Sequence, residues 1–132
     1  MDASDERVRE IQLAKLKTQV RYLAEHSELY RRKFRAAGFA PGDLRSIEDL
    51  AALPATTKTE LRESQDEAPP FGLHQAAPMD RIVRTTATSG TSGKPVYQAY
   101  TRNDVLRRSE SVCRGFWSAG VRPGDRMVNG FA

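Results

Sequence analysis

The sequence predicts an α/β fold: an N-terminal helical segment, a β-hairpin carrying a glycine-rich loop, then the first helix and strand of a larger, incomplete domain. Three observations predict it. Apolar residues recur at helical spacing through residues 1–64. Two short runs rich in β-branched and aromatic residues flank a Gly/Ser/Thr stretch, as in a hairpin. A long amphipathic helix then leads through a Pro-Gly turn into an apolar run, the order that opens an α/β sheet.

In chain order, Ser4 is placed to cap a helix whose first turn holds Asp5 and Glu6, acids suited to a helix N-terminus. Leu13, Leu16, Val20 and Leu23 give that helix one buried stripe. Ser27 opens a second helix with Tyr30, Phe34 and Ala37 on one face. Gly38 is its C′ residue, and Pro41 bars continuation. Two short helices follow, divided by Pro54. Ser46 with Asp49 starts the first as a variant capping box, and Thr57 with Glu60 starts the second. Residues 1–64 form a helical collar read as scaffold. Residues 65–80, with Pro69, Pro70, Pro78 and Gly72, form a loop long enough to need a reason.

The hairpin, residues 81–101, has strands Ile82–Thr86 and Val96–Tyr100. In residues 102–132, Thr101 with Asp104 opens a helix with a stripe of Val105, Val112 and Phe116, widened by Leu106, Cys113 and Trp117. Gly120 and Pro123 end it, and Met127–Phe131 reads as the first parallel strand.

The 132 residues fit one domain with a modest core. Net charge is +4, from 21 basic and 17 acidic residues intermixed along the helices, which speaks against nucleic acid. Arg31-Arg32-Lys33 with Arg35 reads as the wet side of a helix. No 18-residue apolar run spans a membrane and the acidic start shows no signal peptide. The single cysteine agrees with a reducing cytoplasm. Cys113 reads as buried packing and not a nucleophile. His26 and His74, without a carboxylate or cysteine cluster, read as surface residues, and no metal site of protein ligands is expected.

The chemistry lies in Thr88-Ser89-Gly90-Thr91-Ser92-Gly93-Lys94, closed by Pro95. Glycines let backbone approach a ligand closely, and successive N–H groups in such a turn attract anions. Four hydroxyls add donors and Lys94 adds a charge suited to phosphate. A Walker A loop needs a glycine where Thr88 stands, a Ser or Thr where Pro95 stands, and a following helix. This loop has none of these. Read by itself, it is equally a flexible hairpin tip that binds nothing.

Ser-Gly-Thr-Ser-Gly-Lys-Pro resembles the phosphate loop of the adenylate-forming enzymes, Ser92 standing where Thr is commoner. Ser27–Phe34 with Gly38, Ser46–Leu50 with Leu53-Pro54 and Lys58, and Ala119–Arg126 narrow the resemblance to the phenylacetate–CoA ligase branch. The resemblance runs in order along nearly the whole chain, to the N-terminal part of the large AMP-binding domain. It implies an acid–thiol ligase as parent protein: a carboxylate attacks the α-phosphorus of ATP, pyrophosphate leaves, and the thiol of coenzyme A displaces AMP. Thr88, Ser89, Gly90, Thr91, Ser92, Gly93 and Lys94 would hold the outer phosphates, none acting as a catalytic acid or base. ATP, Mg2+ and coenzyme A are the implied ligands, with an aryl acid such as phenylacetate. The family places its Mg2+ ligand, adenine pocket and catalytic lysine downstream, so the isolated chain is expected to be inactive. A homodimer, or a second chain carrying the remaining domains, is the implied macromolecular partner. Two other readings stand beside this: a non-catalytic phosphate-binding module docking on a partner chain, and an adenylyltransferase with a non-CoA acceptor.

Overall fold

The computed structural model describes residues 5–88, 94–128 and 130. Helix α1 (Asp5–His26) packs against α2 (Glu28–Ala36), the two separated by Ser27 alone. The predicted stripe is the one that meets α2. Val20, Phe34 and Leu44 are buried, with Leu13, Leu16, Leu23, Tyr30, Phe39 and Leu53 packed around them. Ala37 is not on this face: it is the exposed C-cap of α2.

The end of α2 follows from Gly38. At φ +62° it takes the left-handed conformation. Gly38 N–H then donates to Arg35 O and Phe39 N–H to Phe34 O, a Schellman motif, and the Phe34 and Phe39 rings meet edge-on at 5.6 Å. The start of α2 departs from expectation. Ser27 is fully buried at the N-cap, but its hydroxyl donates to Leu73 O at 3.1 Å instead of capping. That same carbonyl accepts the Leu29 N–H at 3.0 Å. The long loop therefore caps α2, which is the reason for its length.

Between α2 and the next α-helix lie two 3-10 turns, Pro41–Asp43 and Glu48–Ala52. Ser46 does not N-cap the second; Ile47 does, while the Asp49 carboxylate accepts from the amides of Arg45 and Ser46 at 2.8 and 2.7 Å. Helix α3 (Lys58–Glu67) begins on the predicted capping box. Thr57 Oγ1 accepts from Glu60 N, and Thr57 N–H donates to Glu60 Oε2. It runs three residues past the expected boundary, so Gln65 and Asp66 are helical and the loop starts at Ala68.

Strands β1 (Ile82–Ala87) and β2 (Tyr97–Thr101) pair antiparallel, from Ile82↔Thr101 to Ala87↔Tyr97. A register shift between Ile82 and Arg84 leaves Val83 bulged and exposed. Helix α4 (Arg102–Ser118) starts on the Thr101–Asp104 capping box and packs on both strands. Gly120 at φ +92° ends it in a second Schellman motif, Val121 N–H to Phe116 O and Gly120 N–H to Trp117 O. Pro123-Gly124 then makes a turn closed by Asp125 N–H on Arg122 O.

Two expectations fail in this last part. Of the expected strand Met127–Phe131, residues 127, 128 and 130 carry no strand pairing among the described residues, and Asn129 and Phe131 lie outside them. Cys113, expected as buried packing, is exposed, as are Leu106, Val112, Phe116 and Trp117 of the α4 stripe, while Val105 is half-buried.

Candidate functional site

The site is built where α3 meets the tip of the hairpin. Beyond the last strand pair, Thr88 N–H donates to Val96 O and Val96 N–H donates to Thr88 Oγ1, both at 3.0 Å. Val96 is itself 2% exposed, so this closing pair is fixed by packing as well as by hydrogen bonds. Thr88 thus spends a lone pair on closing the hairpin and keeps its O–H hydrogen to donate elsewhere. Lys94, at the other end of the loop, is held by α3. Its carbonyl accepts from Arg62 Nε at 3.1 Å, and its ammonium meets Asp66 Oδ1 at 2.8 Å. Of the seven residues expected to bind phosphate, Thr88 and Lys94 are described, one at each end of the loop. Ser89, Gly90, Thr91, Ser92 and Gly93 lie outside the described residues.

One turn along α3, Gln65 is nearly buried and uses both ends of its amide. Its Nε2 donates to Pro70 O at 2.8 Å and its Oε1 accepts from Tyr97 N–H at 3.2 Å. Ser64 beside it binds the loop: its Oγ accepts from His74 N–H at 3.2 Å and lies 3.1 Å from His74 Nδ1. His74 is therefore a half-buried structural residue and not the surface residue the sequence suggests. Burial lowers its pKa, partly offset by a hydrogen bond with the Tyr97 backbone. Gly72 at φ +85° gives the room, since a Cβ there would sit 2.7 Å from Ser64 Oγ and 2.8 Å from His74 Nδ1. His26, by contrast, is exposed with its ring 4.5 Å from that of Tyr22.

Arg31, Arg32 and Lys33 of the basic run on α2 are paired within the fold. Arg32 pairs with Glu28 and Glu67, each at 2.9 Å, and Arg31 with Glu28. Lys33 is not on the wet side: 11% exposed, it bridges to Ala55 O and to Glu60 of α3. That lysine, followed by the Thr57 amide and hydroxyl, holds the Glu60 carboxyl down at about 2. Among the described residues no three His, Cys, Asp or Glu side chains are grouped to hold a metal ion.

Sequence reasoning missed Arg62, Gln65 and Asp66. Their i, i+3, i+4 spacing marks one helix face, but only if α3 is carried on to Pro69, the residue that stops it.

Phenylacetate-coenzyme A ligase of Escherichia coli is 39% identical over 125 residues, 95% of this chain and 28% of that protein. The Thermus thermophilus protein of that name is 40% identical over 126 residues, 96% of this chain and 27% of its own length. Among solved structures, 2-hydroxyisobutyryl-CoA ligase with 2-HIB-AMP and CoA superposes with a TM-score of 0.86 at 38% identity, over 92% of this chain and 26% of the other. The fold is that of the N-terminal part of an adenylate-forming CoA ligase. An open conformation of the 2-hydroxyisobutyryl enzyme matches with a TM-score of 0.82. No protein-family model matches the chain. The chain spans just over a quarter of the length of the curated CoA ligases it matches. Among the described residues, no helix is long and apolar enough to cross a membrane.

Proposed function

We propose that this chain supplies the phosphate-binding hairpin of an ATP-dependent carboxylic acid–CoA ligase that makes acyl-CoA, AMP and pyrophosphate. The observation that carries the reading is the pairing of Thr88 with Val96 and of the Lys94 carbonyl with Arg62 of α3, which holds the backbone at both ends of the Gly/Ser/Thr loop. Fixed donors are what pyrophosphate departure needs. Groups set in place beforehand meet the growing charge without reorganising at the moment of reaction. In this reading Thr88 O–H and the Lys94 ammonium serve as donors at the two ends of the loop, and Ser89–Gly93 add its hydroxyls and amides. Mg2+ would balance phosphate charge, but the described residues offer it no seat.

An aryl acid such as phenylacetate is the favoured substrate, on the names of the relatives in E. coli and T. thermophilus. The 2-hydroxyisobutyryl enzymes keep a small hydroxy acid as the second choice. We place the protein in the cytoplasm, where the exposed thiol of Cys113 stays reduced. A second chain carrying the rest of the ligase is the partner this reading names, with ATP, coenzyme A and the acid as small-molecule ligands. Alone, the chain is expected to release no pyrophosphate from ATP, phenylacetate and coenzyme A. Residues 5–128, grafted in place of the matching quarter of the T. thermophilus enzyme, should give phenylacetate-dependent pyrophosphate release. A folded but inactive graft, or robust turnover by the chain alone, would refute the proposal.

A further inference from the structure

Three residues on one face of α3 act on the outgoing limb of the loop. Arg62 and Gln65 hold its backbone, at Lys94 O and Tyr97 N–H. Asp66 holds a side chain, the Lys94 ammonium. The two kinds of contact differ in permanence. Gln65 is nearly buried, whereas the Lys94 and Asp66 side chains are 73% and 60% exposed. A pair so open to water shifts an equilibrium by no more than about fivefold.

We infer that α3 is a positioning clamp for the phosphate loop, and that Asp66 is the exchangeable counter-ion which parks Lys94 until a polyphosphate takes it over. This rests on the phosphate-binding reading above. A polyphosphate presents several charged acceptor oxygens where Asp66 presents one carboxylate, so it wins the ammonium. Arg62 and Gln65 grip groups that carry no charge, so the backbone stays put during the exchange. Asp66 also repels an arriving anion. Competition and repulsion have the same sign, and removing the charge of Asp66 must tighten binding.

Tripolyphosphate without magnesium, titrated calorimetrically into the 132-residue chain, tests this. Asp66→Asn should bind about two- to fivefold more tightly than wild type, and Asp66→Glu should match wild type. The Lys94 side-chain NMR signal should move on titration of wild type, and on Asp66→Asn substitution without ligand. Circular dichroism of each variant checks that the helices persist. If Lys94→Ala weakens binding but Asp66→Asn leaves it unchanged, the counter-ion inference is overturned and the phosphate reading stands. If wild type fails to bind, or Lys94→Ala binds equally well, both fall.

Discussion

Gly72 and Gly38 both sit at positive φ, yet a methyl group would cost them differently. At Gly38 the added Cβ meets nothing within 4 Å, so Gly38→Ala bears only the left-handed strain, about 1–2 kcal/mol. At Gly72 the same strain is joined by a clash with Ser64 and His74, side chains tied to α3 and β2. Gly72→Ala should therefore lower the melting temperature clearly more than Gly38→Ala; equal losses would mean the Ser64–His74 contact is slack. Glu60 makes a second test. Its folded pKa lies at about 2, below the ordinary 4.5, so it stabilises the fold above pH 4.5 and loses that contribution as pH falls toward 2. His74 has the other acid signature: held neutral, it resists protonation, and stability drops as pH falls through the usual histidine range near 6.5. Acid unfolding of Glu60→Gln should accordingly be flatter than wild type below pH 4.5 and unchanged near 6.5. A wild-type slope below 4.5 would show that the Lys33–Glu60 pair carries no linkage.

At the scale of elements, both ends of α4 were legible because local chemistry writes them. Thr101 and Asp104 close a capping box within four residues, and Gly120 supplies the positive φ that the Schellman motif requires. The same holds for the start of α3 and the end of α2. Thr57→Ala should cost about 1 kcal/mol in thermal unfolding, since it orphans the Glu60 amide. A neutral result would put the helix start under the control of the Lys33 contact instead. What the sequence hid was set by distant partners. Ser27 looked like a local cap but was claimed by Leu73, and Gln65 looked like loop but reaches Tyr97. The hairpin was read to within one residue, and Thr88 and Lys94 were placed at its tip. The use of α3 as their support was not visible, because no local pattern announces a contact over about thirty residues.

For the whole molecule, surface area is the decisive quantity. The chain exposes 10189 Å², where a folded monomer of its 14.7 kDa is expected to expose about 6,900 Å². Among the exposed side chains are large apolar ones: Leu106, Val112, Phe116 and Trp117 on α4, then Met127 and Val128. The amphipathic stripe of α4 was read correctly as apolar and its Cys113 wrongly as buried, since periodicity records which face is apolar and not what lies against it. An uncovered stripe of this kind binds hydrophobic dyes and drives association. The single tryptophan reports on it directly. Trp117 is 58% exposed, with the Arg122 guanidinium stacked 3.9 Å from its ring centroid. At dilution, its fluorescence should be red-shifted and open to acrylamide quenching, alongside strong dye binding. Raising the concentration should blue-shift the emission as copies cover each other's stripe. A blue-shifted, quencher-resistant tryptophan in a dilute monomer would mean that the chain folds its own residues over α4, contrary to the arrangement described.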